Sequence, residues 1–159
     1  MHARHATDHP AIQDFLDHFS AMMEPEGLPR PAGRMLGVFF VEGGPLTAEE
    51  LAERLQISRS NVSTTVRILE SLGVVHRTRL PGERTDRFRL HDDPFVPMLQ
   101  ASVVRATRMR DLVQGCRTAL PATLKPAAQR LLPLERFFGY AANWLAEMAG
   151  AWPGARRPR

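Results

Sequence analysis

Apolar residues recur at helical spacing near the start of the chain. They form one stripe of a predicted amphipathic helix, and residues 11–27 are interpreted as a dimerisation helix behind a disordered tail, residues 1–10. A second helix is predicted over residues 31–41, where Gly33 and Gly37 lie one turn apart and leave room for another helix backbone. The first stripe consists of Ile12, Phe15, Leu16, Phe19, Met22 and Met23.

Two short helices follow, joined by a tight turn. Thr47 and Glu50 have the spacing of a capping box, a hydroxyl at the N-cap and a carboxylate three residues later. The next helix is predicted over residues 58–72, with a serine at its N-cap and Gly73 in the left-handed position that ends it. With a turn at residues 56–58, this pattern predicts a helix-turn-helix.

The pattern then changes to the alternation typical of strands. Residues 74–80 and 85–91 flank a Pro-Gly turn, and in the second strand Phe88 and Leu90 face one side while arginines face the other. A hairpin with a single apolar face is not stable alone. We therefore expect it to lie on the helices with its arginines outward, as a wing.

The remaining residues predict helices. Residues 94–152 are interpreted as a C-terminal helical dimerisation region, in which Pro133 should kink or break the last helix. Cys116 is predicted to be a small buried residue, and the basic tail, residues 153–159, to be disordered. The fold class is therefore mainly α, an α+β winged helix over residues 28–93 between two dimerisation elements.

The distribution of charge indicates a binding partner. The chain carries a net charge of +4. The segment from Ser58 to His91 contains seven arginines and three carboxylates, so its excess of positive charge equals that of the whole chain. Such a local basic patch is suited to phosphate binding.

The apolar runs are too short to cross a bilayer, no signal peptide is apparent, and a single cysteine agrees with a reducing compartment. We expect a cytoplasmic protein.

Several short motifs within residues 28–94 resemble the MarR superfamily, specifically its GbsR-type branch. They are Pro29-Arg-Pro-Ala-Gly-Arg34 with Gly37, Pro45-Leu-Thr-Ala-Glu-Glu-Leu-Ala-Glu53, Ser58-Arg-Ser-Asn-Val-Ser63, Leu69-Glu-Ser-Leu-Gly-Val-Val75 and Pro81-Gly-Glu-Arg84. The resemblance implies a winged-helix homodimer that binds operator DNA, often as a repressor, and that in some members releases DNA when a small molecule binds. It implies no enzymatic activity. Gln56 departs from the glycine of many helix-turn-helix turns.

The predicted DNA contacts lie on the polar side of the second helix, at two helix starts and in the wing. Arginine can bind guanine bidentately, asparagine can pair with adenine, and hydroxyls suit bases or phosphates; free amides at helix starts can hold phosphate. Asp86 is expected to orient an arginine. The predicted contact residues are Thr47, Ser58, Arg59, Ser60, Asn61, Ser63, Thr64, Arg67, Arg84 and Arg87.

The expected partners are double-stranded DNA, a second copy of the chain and, as a further hypothesis, a small-molecule effector. The flanking helices carry more apolar surface than so small a domain can bury, and a two-fold axis would place two recognition helices about 34 Å apart on a near-palindromic site. An effector would bind a cleft beside the DNA-binding lobe. The residues predicted to line that cleft are Met22, Met23, Arg34, Phe39, Met98 and Arg108.

Two other functional classes fit the sequence less well. An enzyme is not expected, because no nucleophile elbow, phosphate loop or zinc pattern is present, and His76, Glu83, Asp86 and His91 are scattered by strand alternation. No cofactor or metal is expected; His2, His5 and His9 lie in a tail expected to be mobile. A winged-helix module that binds protein instead of DNA remains the alternative.

Overall fold

The computed structural model describes residues 5–156 and divides into two compact units, which meet in the sequence between Pro94 and Phe95. The first unit contains a short 3-10 turn, four helices and three strands. In chain order these are the turn Ala6–Asp8, α1 Pro10–Met23, α2 Arg30–Glu42, β1 Leu46–Thr47, α3 Ala48–Leu55, α4 Arg59–Ser71, β2 Val75–Thr78 and β3 Arg87–Leu90.

Close packing of α1 on α2 is made possible by glycine, as the sequence predicts. A Cβ atom on Gly33 would lie 3.0 Å from the Ser20 Cα atom, and one on Gly37 would lie 2.5 Å from the Leu16 Cδ2 atom. The first contact, with backbone, is tighter than most side chains make, and the second is closer than Cβ atoms come in close-packed interiors. The two glycines therefore allow Leu16 and Ser20 to be buried against α2.

The sheet has three strands in the order β1–β3–β2, all antiparallel. The wing hairpin is confirmed, with Val75 opposite Leu90 and Thr78 opposite Arg87. The short strand β1, which the sequence analysis missed, places Leu46 opposite Phe88. Because β1 leads directly into α3, this pairing fixes the wing to the start of the helix-turn-helix.

A largely buried ion pair connects the end of α2 to α3. Arg54 Nε donates to Glu42 Oε2 at 2.6 Å, and the two side chains are 8% and 12% exposed. The Thr7 hydroxyl donates to the other Glu42 oxygen at 3.2 Å, and Arg54 also donates to the Glu50 carbonyl at 3.1 Å. Since both charges keep several polar partners, burial is tolerated, and α3 is held against α2.

The second unit is a helical hairpin of α5, Phe95–Ala119, and α6, Lys125–Ala151, with 3-10 turns at Ala122–Leu124 and Pro153–Arg156. The two helices pack against each other, and Arg117 Nη2 donates to Glu135 Oε1 at 3.2 Å across them. That guanidinium holds the pKa of the Glu135 carboxyl below its usual value.

Two predictions about the chain termini need correction. Residues 5–10, expected to be disordered, form the 3-10 turn and the start of α1, because Thr7 is buried and hydrogen-bonded to Glu42. The predicted disordered tail begins with the 3-10 turn Pro153–Arg156 instead. Residues 1–4 and 157–159 lie outside the described part of the chain.

In the second unit the buried position predicted for Cys116 is wrong, and of the kink or break predicted at Pro133 the break does not occur. Pro133 does not break α6, which continues from Lys125 to Ala151. The carbonyl that loses its bond belongs to Gln129, an exposed residue, so water can satisfy it. Cys116 is exposed, because the buried residues of α5 repeat every seven positions, at Leu99, Ala106 and Val113, and Cys116 is not among them.

We expect Gly33→Val to lower the free energy of unfolding by about 1–3 kcal/mol, the usual cost of overpacking. The new side chain would meet the Ser20 backbone, which cannot rotate away. Gly115→Val is the matched control, since a Cβ atom there has no neighbour within 4 Å. Urea denaturation followed by circular dichroism measures both, and an equal effect in the two variants would contradict close packing at Gly33.

Candidate nucleic-acid interface

One side of α4 is buried and the other is free. Val62, Val66 and Leu69 are at most 1% exposed, which anchors the helix in the core of the first unit. Thr65 is buried on the same side, and because side chains advance by about 100° per residue, the positions opposite these four face outward. The exposed side carries six of the predicted contact residues, Arg59, Ser60, Asn61, Ser63, Thr64 and Arg67.

Local capping chemistry sets where α3 and α4 begin. The Glu50 amide donates to the Thr47 hydroxyl at 3.1 Å, and the Glu50 carboxylate accepts from the Thr47 amide at 2.7 Å, so the capping box is confirmed. The Ser58 hydroxyl accepts from the Asn61 amide at 3.3 Å. Between the helices Gln56 adopts a left-handed backbone, with φ of 53°, a conformation that glycine adopts more easily.

Glu50 connects the helix-turn-helix to the wing. Burial alone would raise the pKa of the Glu50 carboxyl, but hydrogen bonds from Thr47 and the charges of Arg87 and Arg54 together lower it. Arg87 Nη1 lies 3.5 Å from Glu50 Oε2, and Arg87 Nε lies 2.9 Å from Glu83 Oε2. Arg87 is therefore a partly buried brace between the wing and α3, while Arg84 at the wing tip is exposed.

A cleft of about 480 Å³ separates the starts of α3 and α4 from the wing tip. It brings together four of the predicted contact residues: Thr47, Arg59, Arg84 and Arg87. Two carboxylates, Glu49 and Glu83, share the cleft with them. The cleft is open and mixed in charge.

Ion pairs hold most arginines of the wing. Asp86 accepts from Arg79 Nη2 at 2.6 Å and from Arg77 Nη1 at 3.1 Å, as expected for a residue that orients arginines. The Arg79 hydrogen bond is the main reason why the pKa of Asp86 is lowered, although burial opposes it. Arg77 also lies over the Phe88 ring, 5.5 Å from its centroid. Asp86 thus orders Arg77 and Arg79, while Arg87 pairs with Glu83 and Arg89 with Asp92.

Two histidines meet at the base of the wing. The rings of His76 and His91 have centroids 4.3 Å apart, and the His76 Nδ1 atom is buried without a hydrogen-bond partner among the described residues. Burial lowers the pKa of His91, the nearby His76 lowers it further, and Asp92 opposes both. The folded wing therefore favours neutral His91.

The predicted effector residues do not form one described site. Met98 and Arg108 belong to the second unit. In the first unit Phe39 is fully buried in the core, and Met22 is 75% exposed. Arg34, however, pairs with Asp17 and lines a cleft of about 330 Å³. The other residues of that cleft are Ser20, Arg30, Pro31, Leu55 and Ile57.

Within residues 5–156, no group of three or more histidine, cysteine or acidic side chains is arranged to hold a metal ion. No described helix combines the length and hydropathy of a bilayer span.

A helix-turn-helix followed by a β-hairpin, with a polar recognition face and an arginine-bearing wing, defines a winged-helix transcriptional regulator. A family model described as the MarR family matches residues 26–84, the segment from the end of α1 to the wing tip. Over this segment, a little more than a third of the chain, the sequence is similar to the MarR family, and the mainly α fold class is confirmed.

The similarity extends beyond the winged helix. The HTH-type transcriptional regulator MmpR5 of Mycobacterium tuberculosis is 27% identical over 144 residues, 90% of this chain and 87% of that protein. The HTH-type regulator YvaV of Bacillus subtilis is 26% identical over 151 residues, 87% of this chain and 85% of that protein. A solved transcriptional regulator is 27% identical with a TM-score of 0.80, covering 89% and 97% of the two chains. All three of these proteins are named as regulators of transcription.

Sequence reasoning missed two parts of this interface. Glu49 pairs with Arg59, although the two are separated by the turn of the helix-turn-helix and no periodic pattern relates them. The Glu42–Arg54 pair that positions α3 was missed for the same reason. For Glu49 the available signal was the presence of two adjacent carboxylates at the start of α3, of which the capping box uses only Glu50.

The pKa shift of His91 predicts a pH-dependent stability. The unfolded state binds a proton at about pH 6.5, whereas the folded state binds one only at lower pH, so the free energy of unfolding should fall as pH decreases below about 6.5. His91→Gln should reduce this loss, measured by urea denaturation between about pH 7.5 and 5.5. His18→Gln, on α1, is the control. An unchanged pH dependence in His91→Gln would contradict the assignment.

Proposed function

We propose that this chain is a sequence-specific repressor that binds a near-palindromic operator as a homodimer. The observation that carries the proposal is the exposed polar side of α4, set beside an arginine-bearing wing across an open cleft. In this proposal residues at the start of α4 contact base edges, as early positions of recognition helices do. In this proposal the protein acts in the cytoplasm, where its DNA target lies.

The proposed contacts divide into two groups. Arg59, Ser60, Asn61 and Ser63 recognise bases, while Thr64, Arg67 and Arg84 contact the phosphate backbone, together with the helix starts at Thr47 and Ser58. Arg87 acts mainly by holding the wing in place, because its guanidinium already has carboxylate partners. This is a narrower role than the direct contact predicted for it from sequence.

A second copy of the chain is the proposed partner. Regulators of this family act as dimers, and α6 exposes a stripe of large apolar side chains of the kind that marks an interface. Phe137 is 62% exposed, Tyr140 75% and Trp144 51%, at helical spacing on one side. A dimer would cover this stripe and present two recognition helices together.

Two finer assignments complete the proposal. The Pro-Gly-Glu-Arg wing tip, with Gly82 at a φ of 83°, and the Gly33–Gly37 pair support membership of the GbsR-type branch. A small-molecule effector would use the cleft at Arg34, whose volume lies within the range of ligand pockets. That cleft includes Leu55 and Ile57 beside the turn of the helix-turn-helix, so an occupant could bias the position of α4.

The alternative, a winged-helix module that binds protein, makes a different prediction about salt. If DNA is the partner, the affinity for a duplex should fall steeply as salt increases, because each neutralised phosphate releases counterions. Gel shifts at increasing salt distinguish the two functions. Binding to no duplex at low salt would favour the protein-binding module.

Arg59→Ala and Arg84→Ala should separate base recognition from backbone binding. Loss of Arg59 should remove about 1–3 kcal/mol of discrimination at one base pair. Loss of Arg84 should weaken binding to all sequences alike and reduce the salt slope by about 1. Fluorescence anisotropy with a selected duplex and its shuffled version measures both, with Arg30→Ala at the start of α2 as control. An equal loss of specificity in both variants would contradict this division.

Light scattering at micromolar concentration should give twice the 17.8 kDa mass of the chain. Phe137→Glu should shift the population toward monomer, because a charge within the α6 stripe would be buried without a partner. Asn143→Glu adds the same charge on α6 beside that stripe and should leave the dimer intact. A monomeric wild-type chain would contradict the homodimer.

A further inference from the structure

Two arginines that line the cleft are already paired with carboxylates of the same chain. Arg59 pairs with Glu49, and Arg87 pairs with Glu83 at 2.9 Å. All four side chains line the cleft between the helix starts and the wing tip. A contact from Arg59 to DNA therefore has to replace an existing ion pair.

The Glu49–Arg59 pair differs from the other in its surroundings. Both side chains are largely exposed, 75% for Glu49 and 69% for Arg59, whereas the Arg87 side chain is only 21% exposed. An exposed pair of this kind contributes little to stability. Glu49 is also not part of the capping box, which uses Glu50. The Glu49 carboxylate therefore acts mainly on the charge and position of the Arg59 guanidinium.

We propose that Glu49 is a specificity-determining residue, which competes with the phosphate backbone for the Arg59 guanidinium. The proposal rests on the DNA-binding function proposed above. Guanine offers two acceptors, O6 and N7, that match the arginine fork. At a correct site this contact replaces the Glu49 carboxylate. At other sites Arg59 remains on Glu49 and makes no phosphate contact.

Glu49 acts in a second way through its position. When Arg59 leaves for a base, the freed carboxylate stands in the cleft beside the path of the backbone and repels phosphate. The bidentate base contact offsets this repulsion at a correct site, but a simple phosphate contact offsets less of it. Non-specific complexes are therefore weakened more than specific ones, which raises the specificity ratio without a contact from Glu49 to DNA.

Glu49→Gln tests the proposal by removing the charge while keeping the side-chain size. Binding to a shuffled duplex should become about fivefold tighter, a factor within the range of exposed ion pairs. Binding to a duplex selected with the wild-type protein from a random-sequence pool should change by less than about twofold. Anisotropy titrations at salt between roughly 50 and 200 mM measure both, and the salt slope on the shuffled duplex should steepen by about 1.

Glu83→Gln is the matched control, since it removes the same charge from the same cleft without touching Arg59. It should tighten binding to both duplexes by the same factor. The effect of Glu49→Gln on the specificity ratio should also disappear when Arg59 is already alanine, because the two residues act as one unit.

The other outcomes separate a failure of the Glu49 proposal from a failure of the proposed function. If Glu49→Gln tightens both duplexes equally, or neither, or keeps its effect without Arg59, then Glu49 does not act through Arg59 and this proposal is wrong while the DNA-binding function stands. If the wild-type protein prefers no duplex over its shuffled version, the proposed function fails, and the role of Glu49 fails with it.

Discussion

Burial of one side of α4 is the constraint on which the interface depends. Val62, Val66 and Leu69 are spaced by four and three residues, and all three are withdrawn from solvent. A helix anchored in this way cannot rotate without exposing them, at a cost of roughly 1.5–3 kcal/mol for each side chain. The polar side from Arg59 to Arg67 is therefore held outward by the core itself, and the neighbouring elements adjust to that orientation.

The parts of this arrangement that depend on local chemistry could be predicted from the sequence. A capping box involves residues three apart, as Thr47 and Glu50 show, and a helix end needs one left-handed residue, which Gly73 supplies with φ of 75°. The wing follows from strand alternation around Phe88. Such signals act over a few residues, so one sequence contains them completely.

Contacts between distant residues could not be predicted in the same way. Strand β1 is two residues long and exists because Leu46 pairs with Phe88, a partner that no local pattern identifies. The burial of Thr7 depends on Glu42, which in turn depends on Arg54. The sequence assigned Arg87 a role in DNA contact, whereas its guanidinium also bridges to Glu50. Each of these is a tertiary effect that overrides a local expectation.

The charges of the arginines also depend on contacts between distant residues, and here the contacts affect function. Counting arginines indicates an affinity for phosphate but does not show how many cations are available. In the described chain Arg59 and Arg87 are paired with carboxylates, whereas no ion pair involves Arg67 or Arg84 among residues 5–156. Long-range attraction to DNA should thus come mainly from these two unpaired arginines. The paired ones engage only where DNA offers a better partner than the carboxylate, which makes selectivity a property of the ion pairs as well as of the recognition helix.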